Sequence, residues 1–231
     1  MATGMGAEPF AGSLFAILRF ASPALPIGTF AYSRGLEYAV HAGWVSDEAS
    51  AQAWILGLLH HTGVNLDGAA YARLHAAFVA DDRERVERWN ELLLASRESA
   101  ELHFEDTQLG AALIRLLTGS GVALAASFAG REDVAYATAF ALAMVQHGVP
   151  LEAALGALLW AQVESQTSAA LRLVPLGQTS GQRILSRAST ELPDLVERAL
   201  AVADDAIGAF APALALGSAL HETQYTRLFR S

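Results

Sequence analysis

The sequence predicts an all-α protein: a single-domain bundle of about nine to ten helices joined by short loops, with a flexible N-terminus and a C-terminal tail suited to partner docking. Three observations carry this. Apolar residues recur at helical spacing along almost the whole chain, and almost nothing alternates with period two. The interruptions are brief Gly- or Pro-containing steps such as Gly119-Ser120-Gly121, Gly148 and Leu192-Pro193. No Pro/Ser-rich linker, charge run or repeat of 20 to 50 residues divides the chain. The expected organisation is therefore a disordered segment 1–12, a helical domain 13–210 and a tail 211–231.

Residues 1–12 are small and Gly-rich and read as disordered. Leu14, Ile17, Leu18 and Ala21 have helical spacing, and the segment stops at Ser22-Pro23, because a residue before proline avoids the helical region. Pro23, Pro26 and Gly28 form a rigid loop. A helix is expected from Thr29, an available N-cap, to Gly43, which suits a helix C-terminus. Ser46, Asp47 and Glu48 start the next, with acids at the positive end of the helix dipole. Further helices are expected over 47–62, 66–80, 82–97, 99–118, 131–147, 150–174, 178–190 and 193–208.

Composition excludes several classes. All fifteen basic residues are Arg, and 24 acidic residues leave a net charge of −9, which repels phosphate backbones and argues against nucleic acid. Without Lys there is no Schiff base and no Walker A loop. Without Cys there is no disulfide, thiol nucleophile or thiolate metal site. The most apolar tract, 134–163, is interrupted by His147, Gly148, Pro150 and Glu152, leaving runs below the roughly 18 residues that span a bilayer. No membrane segment or signal peptide is expected, so the location is taken as cytoplasmic. A mean hydropathy of +0.31 suggests apolar surface that meets a partner or a second copy.

Single catalytic patterns are weak. His221-Glu222 begins like HExxH, but Tyr225 stands where the second histidine is needed. His60 and His61 are adjacent, about 100° apart on a helix, a poor geometry for one metal; one is expected to pack inward and the other to face solvent. The GSGVALAASFAG stretch lacks the third glycine of a dinucleotide loop and reads as a connection. Asp81 to Arg88 is a mixed charge run expected on a solvated face. Asp204-Asp205 lacks neighbouring oxygen ligands for a hard cation.

Four places concentrate polar and aromatic groups. In LPIGTFAYSRGLE, Tyr32, Ser33, Arg34 and Glu37 crowd beside a Pro-Gly turn. RESAELHFEDTQLG puts Arg97, Glu98, Glu101, Glu105 and Asp106 within a few helical turns. Glu164 and Gln166 interrupt an apolar helix that is followed by Gln178, Gln182 and Arg183. Such groups need hydrogen-bond partners, and pinning helix to helix is their purely structural reading. The last eleven residues, HETQYTRLFRS, interleave Tyr225 and Phe229 with Arg227 and Arg230, residue types that dominate binding hot spots. Docking onto a partner is the reading favoured for this tail; folding back on its own bundle is the alternative.

Taken together, ASPALPIGTFAYSRGLEYAVHAGWV, RESAELHFEDTQLG, LRLVPLGQTSGQR and GSALHETQYTRLFRS resemble the urease accessory protein F family, UreF, in order and spacing from about Leu14 to Ser231. Ala31 stands where the family often has Ser, Arg172 where Lys is common and Ser165 where Asn is frequent. The resemblance implies an all-helical homodimer without catalytic residues, metal site or cofactor. Such a protein binds UreD (also called UreH) and recruits the GTPase UreG, coupling GTP hydrolysis to nickel delivery into apo-urease. It further implies that the partner-binding residues lie among Tyr32, Ser33, Arg34, Glu37, Glu101, Glu164, Gln166, Gln178, Arg183, His221 and Glu222. By the same analogy the tail, with Tyr225, Arg227, Phe229 and Arg230, orders on UreD. The helices at 51–59 and 134–145 are the candidate dimer faces.

Two rival classes are a direct nickel carrier, with His221, His60 and His61 as the residues to examine, and a helical enzyme using Glu101, Glu164 or His103 as acid or base. Neither has a motif of the required spacing. The isolated protein is therefore expected neither to hydrolyse GTP nor to hold nickel tightly. Calorimetry that finds a submicromolar nickel site would favour the carrier.

Overall fold

The computed structural model describes residues 7–231. The chain folds into α1 (Ala7–Phe20), α2 (Leu36–His41), α3 (Glu48–Leu58), α4 (Ala69–Val79), α5 (Arg83–Ala95), α6 (Ala100–Gly119), α7 (Tyr136–Gln146), α8 (Leu151–Leu173), α9 (Gln178–Ala201) and α10 (Pro212–His221). Short 3-10 turns lie at Thr29–Ala31, Ala123–Phe128 and Asp204–Ala206. No strand occurs among the described residues, as the periodicity predicts, and none of their helices is long and apolar enough to cross a membrane.

Local sequence explains the starts. Asp47 and Ser50 form a reciprocal capping box on α3, Asp82 accepts from the Arg85 N–H, and Ser99 accepts from the Leu102 N–H to open α6. Helix α7 begins differently, held by side chains from elsewhere: Asp106 accepts from the Tyr136 N–H at 2.9 Å and Asn90 from the Ala135 N–H at 2.9 Å. That helix is apolar all round and buried from Ala137 to Met144, the pattern of a helix surrounded by others. α4, α6, α1 and α8 pack around it, and α9 lies along α8.

The structure corrects several expectations. Helix α1 begins at Ala7, inside the segment read as disordered; residues 1–6 lie outside the described residues. The helix expected over 29–43 is a 3-10 turn, a break at Tyr32–Gly35 and the short α2, because the break receives the C-terminal tail, as described below. The expected gap between 62 and 66 is bridged by wide helical turns over Leu59–Gly68 that join α3 to α4. A Cβ on Gly68 would stand 2.7 Å from the Gly63 carbonyl oxygen, so only glycine permits this widened turn. Pro193 does not divide α9, although an interior proline costs about 3 kcal/mol. Burial of Ile184, Ala188, Leu195, Val196 and Ala199 on both sides of it offsets that loss. Finally, 134–145 is internal to the bundle, so it is no dimer face; packing requires it as the core.

The crossing of α6 over the start of α7 is the tightest in the bundle. A Cβ on Gly110 would lie 1.9 Å from the Val134 carbonyl oxygen. Gly110→Ala is expected to destabilise by about 3 kcal/mol or more, because backbone must move. Gly156→Ala, where the added methyl meets Val196 at 3.8 Å, is the matched control and should be neutral or stabilising by up to about 1 kcal/mol. Denaturant melts of the two variants check the contrast.

Candidate functional site

The tail turns back after α10 and is clasped by the body. Glu37, on the first turn of α2, accepts from the Leu228 N–H at 2.6 Å and from the Phe229 N–H at 2.8 Å. Its carboxylate also meets His221 Nε2 at 3.0 Å, while His221 Nδ1 meets Glu101 Oε2 at 2.7 Å. Arg227 Nη1 donates to the other oxygen of Glu101 at 2.9 Å. Both nitrogens of a fully buried imidazole thus face carboxylate oxygens. Arg227 stands beside Glu101 as a fixed cation, which offsets part of the cost of burying that carboxylate.

The end of the tail is held by the Tyr32–Gly35 break. The Ser33 N–H and hydroxyl both donate to the Ser231 carbonyl oxygen, at 2.7 and 2.5 Å, and the Arg230 N–H donates to the Ala31 carbonyl at 2.8 Å. Ser231 Oγ donates to Glu105 at 2.7 Å. Phe229 is buried with the Arg172 guanidinium 4.4 Å above its ring. Tyr32 is buried, which raises its hydroxyl pKa against a lowering hydrogen bond from Arg230. The loop reaches these partners because Arg34 and Gly35 both take positive φ, 51° and 74°. Helix α10 packs so closely against the loop that a Cβ on Gly35 would be 3.0 Å from the Ser218 nitrogen.

Beneath the tail lies a second charged group. Arg97 reaches Asp67 at 2.9 Å and Asp106 at 2.9 Å, and Arg34 stands 3.7 Å from Asp67. Burial alone would raise the Asp67 carboxyl, but the guanidinium groups of Arg97 and Arg34 outweigh it and hold the pKa below its usual value. Glu105 has no such dedicated cation, and burial pushes its carboxyl up. Burial likewise raises Glu164, which with Arg34, Gln166 and Asp67 lines a cavity of about 70 Å³ under the Ser22–Thr29 loop.

The structure therefore brings most of the sequence-predicted residues together. Tyr32, Ser33, Glu37, Glu101, His221, Arg227, Phe229 and Arg230 form the clasp; Glu222 joins it by accepting from the Ala100 N–H at 3.1 Å. Gln166 fixes the same loop by donating to the Ser33 carbonyl at 3.1 Å, and Arg34 and Glu164 face the cavity. Gln178 and Arg183 stand apart, exposed at the start of α9, where Arg183 pairs with Glu48 of α3 and holds that carboxyl down at about 2. His60 is half-buried on Glu191 and His61 is exposed, as adjacency predicted.

The tail itself is a correction. It folds back instead of standing free, and Phe229 is an internal anchor because Arg172, Glu37 and the loop supply the partners that its sequence alone did not reveal. Tyr225 is fully exposed and Leu228 more than half so. Asp67 went unnoticed in the sequence; its one signal is a lone acid in the apolar stretch Val64 to Ala70.

Comparison with known proteins places these residues in a family. The UreF family model matches residues 45–189, more than half of the chain. The chain is 48% identical over 215 residues to urease accessory protein UreF 2 of Brucella anthropi, covering 93% of this chain and 95% of the relative. It is 46% identical over 210 residues to urease accessory protein UreF of Alkalilimnicola ehrlichii, covering 91% and 92%. Against urease accessory protein UreF of Marinobacter nauticus it is 42% identical over 232 residues, all of both chains.

Two buried carboxylates should respond oppositely to neutralisation. Glu37→Gln removes a charged acceptor of two N–H bonds and is expected to cost about 3 kcal/mol, with faster hydrogen exchange at Leu228 and Phe229. Glu105→Gln keeps an acceptor for Ser231. Because the folded Glu105 pKa lies above the ordinary 4.5, wild-type stability declines as pH rises from 4.5 through the folded value, a loss the glutamine lacks. Glu105→Gln should therefore fare better, relative to wild type, at about pH 7 than at about pH 4 in urea melts.

Proposed function

The chain belongs to the UreF family of urease accessory proteins, and on that premise we propose that it is a non-catalytic urease maturation factor. It joins UreD (UreH) to the GTPase UreG, so that GTP hydrolysis is coupled to nickel insertion into apo-urease. The protein acts in the cytoplasm as a homodimer. It shifts the GTPase between nucleotide states by binding them with different affinity, which is the only way an adaptor biases a partner's equilibrium.

One observation supports the adaptor reading above the rest. The clasp uses the buried side of the tail for holding and leaves an apolar outer side: Tyr225 is fully exposed, and Leu216, Leu220 and Leu228 are 55%, 41% and 56% exposed. An aromatic held on a rigid support loses little conformational freedom on binding, which is the property of a hot-spot anchor. The partner-binding assignment accordingly keeps Tyr225, Arg227 and Arg230 and takes Leu228 in place of Phe229. For self-association, exposed Phe15 and Leu18 on α1 and the outer part of α3 offer apolar faces.

Size measurement of the protein mixed with UreD, UreG and GTP tests the reading. A ternary complex is expected, and its absence under conditions where UreD and UreG are folded would overturn it. Tyr225→Ala with Leu228→Ala should leave the melting temperature within a degree or so while weakening UreD binding by about 2 to 4 kcal/mol. Phe229→Ala should instead lower the melting temperature, since it empties an internal site.

A further inference from the structure

We propose that the cavity under the Ser22–Thr29 loop is a binding site for a small neutral carboxamide, a molecule with one carbonyl acceptor and N–H donors. The site has an apolar side, with Phe20, Ile27 and Leu109, and a polar side, with Arg34, Gln166 and Glu105. Its volume of about 70 Å³ is several times the roughly 10–15 Å³ that one buried water needs, enough for a molecule of four or five heavy atoms.

The donor and acceptor census selects the chemistry. Among the described residues the Arg34 guanidinium makes no hydrogen bond: its ion pair with Asp67, at 3.7 Å, is too long to be one, and Glu105 feels its charge without a hydrogen bond to it. Its N–H groups are free to donate to an acceptor in the cavity. Gln166 is oriented by its Nε2 bond to the Ser33 carbonyl, which leaves Oε1 buried without a partner and requiring a donor. A carbonyl placed on Arg34 and an N–H placed on Gln166 satisfy both.

Charge excludes the ionic relatives of such a ligand. Asp67 and Asp106 are balanced by Arg97 and Arg34, so either sign of added charge unbalances the group. Glu105 is engaged by Ser231, and burial raises the carboxyls of Glu105 and Glu164 above the ordinary value. A carboxylate would bring a negative charge and no donor for Gln166. A guanidinium or ammonium would bring a positive charge and no acceptor for Arg34.

The backbone points the same way. Arg34 is held at φ 51°, an uncommon conformation for a residue with a side chain, directly after the doubly anchored Ser33. That conformation starts the Arg34 side chain beside the cavity that it lines.

The test uses the full chain and four probes of matched size: acetamide, urea, acetate and guanidinium. Side-chain N–H resonances of Arg34 and Gln166 are followed during titration. Saturable shifts are expected for acetamide and urea at millimolar concentration, with acetate and guanidinium weaker by about tenfold or more. Equal responses to all four, or none to the amides, would mean that the cavity holds only water and would overturn the proposal. Arg34→Met should weaken the amides by about tenfold, and unchanged amide binding in a folded Arg34→Met protein would also overturn it. Because that substitution strips a counter-charge from Asp67 and lowers stability, discrimination among the probes by the wild-type chain decides the matter if the variant does not fold. The outcome is independent of complex formation with UreD and UreG, so failure here leaves the adaptor reading standing.

Discussion

The Glu37 carboxylate is the constraint on which the C-terminal end of this protein depends. It is buried, yet it accepts two backbone N–H bonds from the tail and meets a histidine that is itself locked to Glu101. A buried carboxylate is tolerated only when its lone pairs and its charge are both answered, and every answer here comes from residues more than 180 positions away. The helix that carries His221 and the strip that follows it must therefore dock for α2 to exist as it does. The same requirement explains the broken chain at Tyr32–Gly35, since a continuous helix would carry Ser33 away from the Ser231 carbonyl.

A second buried ionic group, Asp67–Arg97–Asp106, serves a different purpose. Asp106 spends one oxygen on Arg97 and the other on the first N–H of α7, so the ion pair also sets where the central helix begins. Asp67 rises from the wide turns between α3 and α4, where the helix is loosened by its glycines. Buried ion pairs add little net stability over well-packed apolar groups. Their value here is positional: Asp67 draws Arg34 and Gln162 to a cavity that an apolar core would fill.

The two groups meet at one residue. Ser33 takes the tail with its N–H and hydroxyl and takes Gln166 with its carbonyl. Outer surface and inner cavity are consequently joined by a single short loop. A change at either place would bear on the same backbone.

How much of this was legible depends on the range of the interaction. Helical periodicity, caps at Asp47, Asp82 and Ser99, and the lack of strands are local, and the sequence alone determined them along with the excluded chemistries that need Lys or Cys. The polar residues of the clasp were also legible as a set, because Ser33, Glu37, Glu101 and His221 are anomalous within helices otherwise rich in Ala and Leu. Their mutual pairing was not. It joins positions 33 to 231, 37 to 228 and 101 to 221, separations at which no periodic signal survives. Only the tertiary structure decided that Phe229 is inside and Tyr225 outside, since two aromatics four residues apart look alike until the partners of one are known. Only it, too, let α9 run through Pro193 and closed the gap at Leu59–Gly68, because packing on α8 outweighs a local preference of a few kcal/mol.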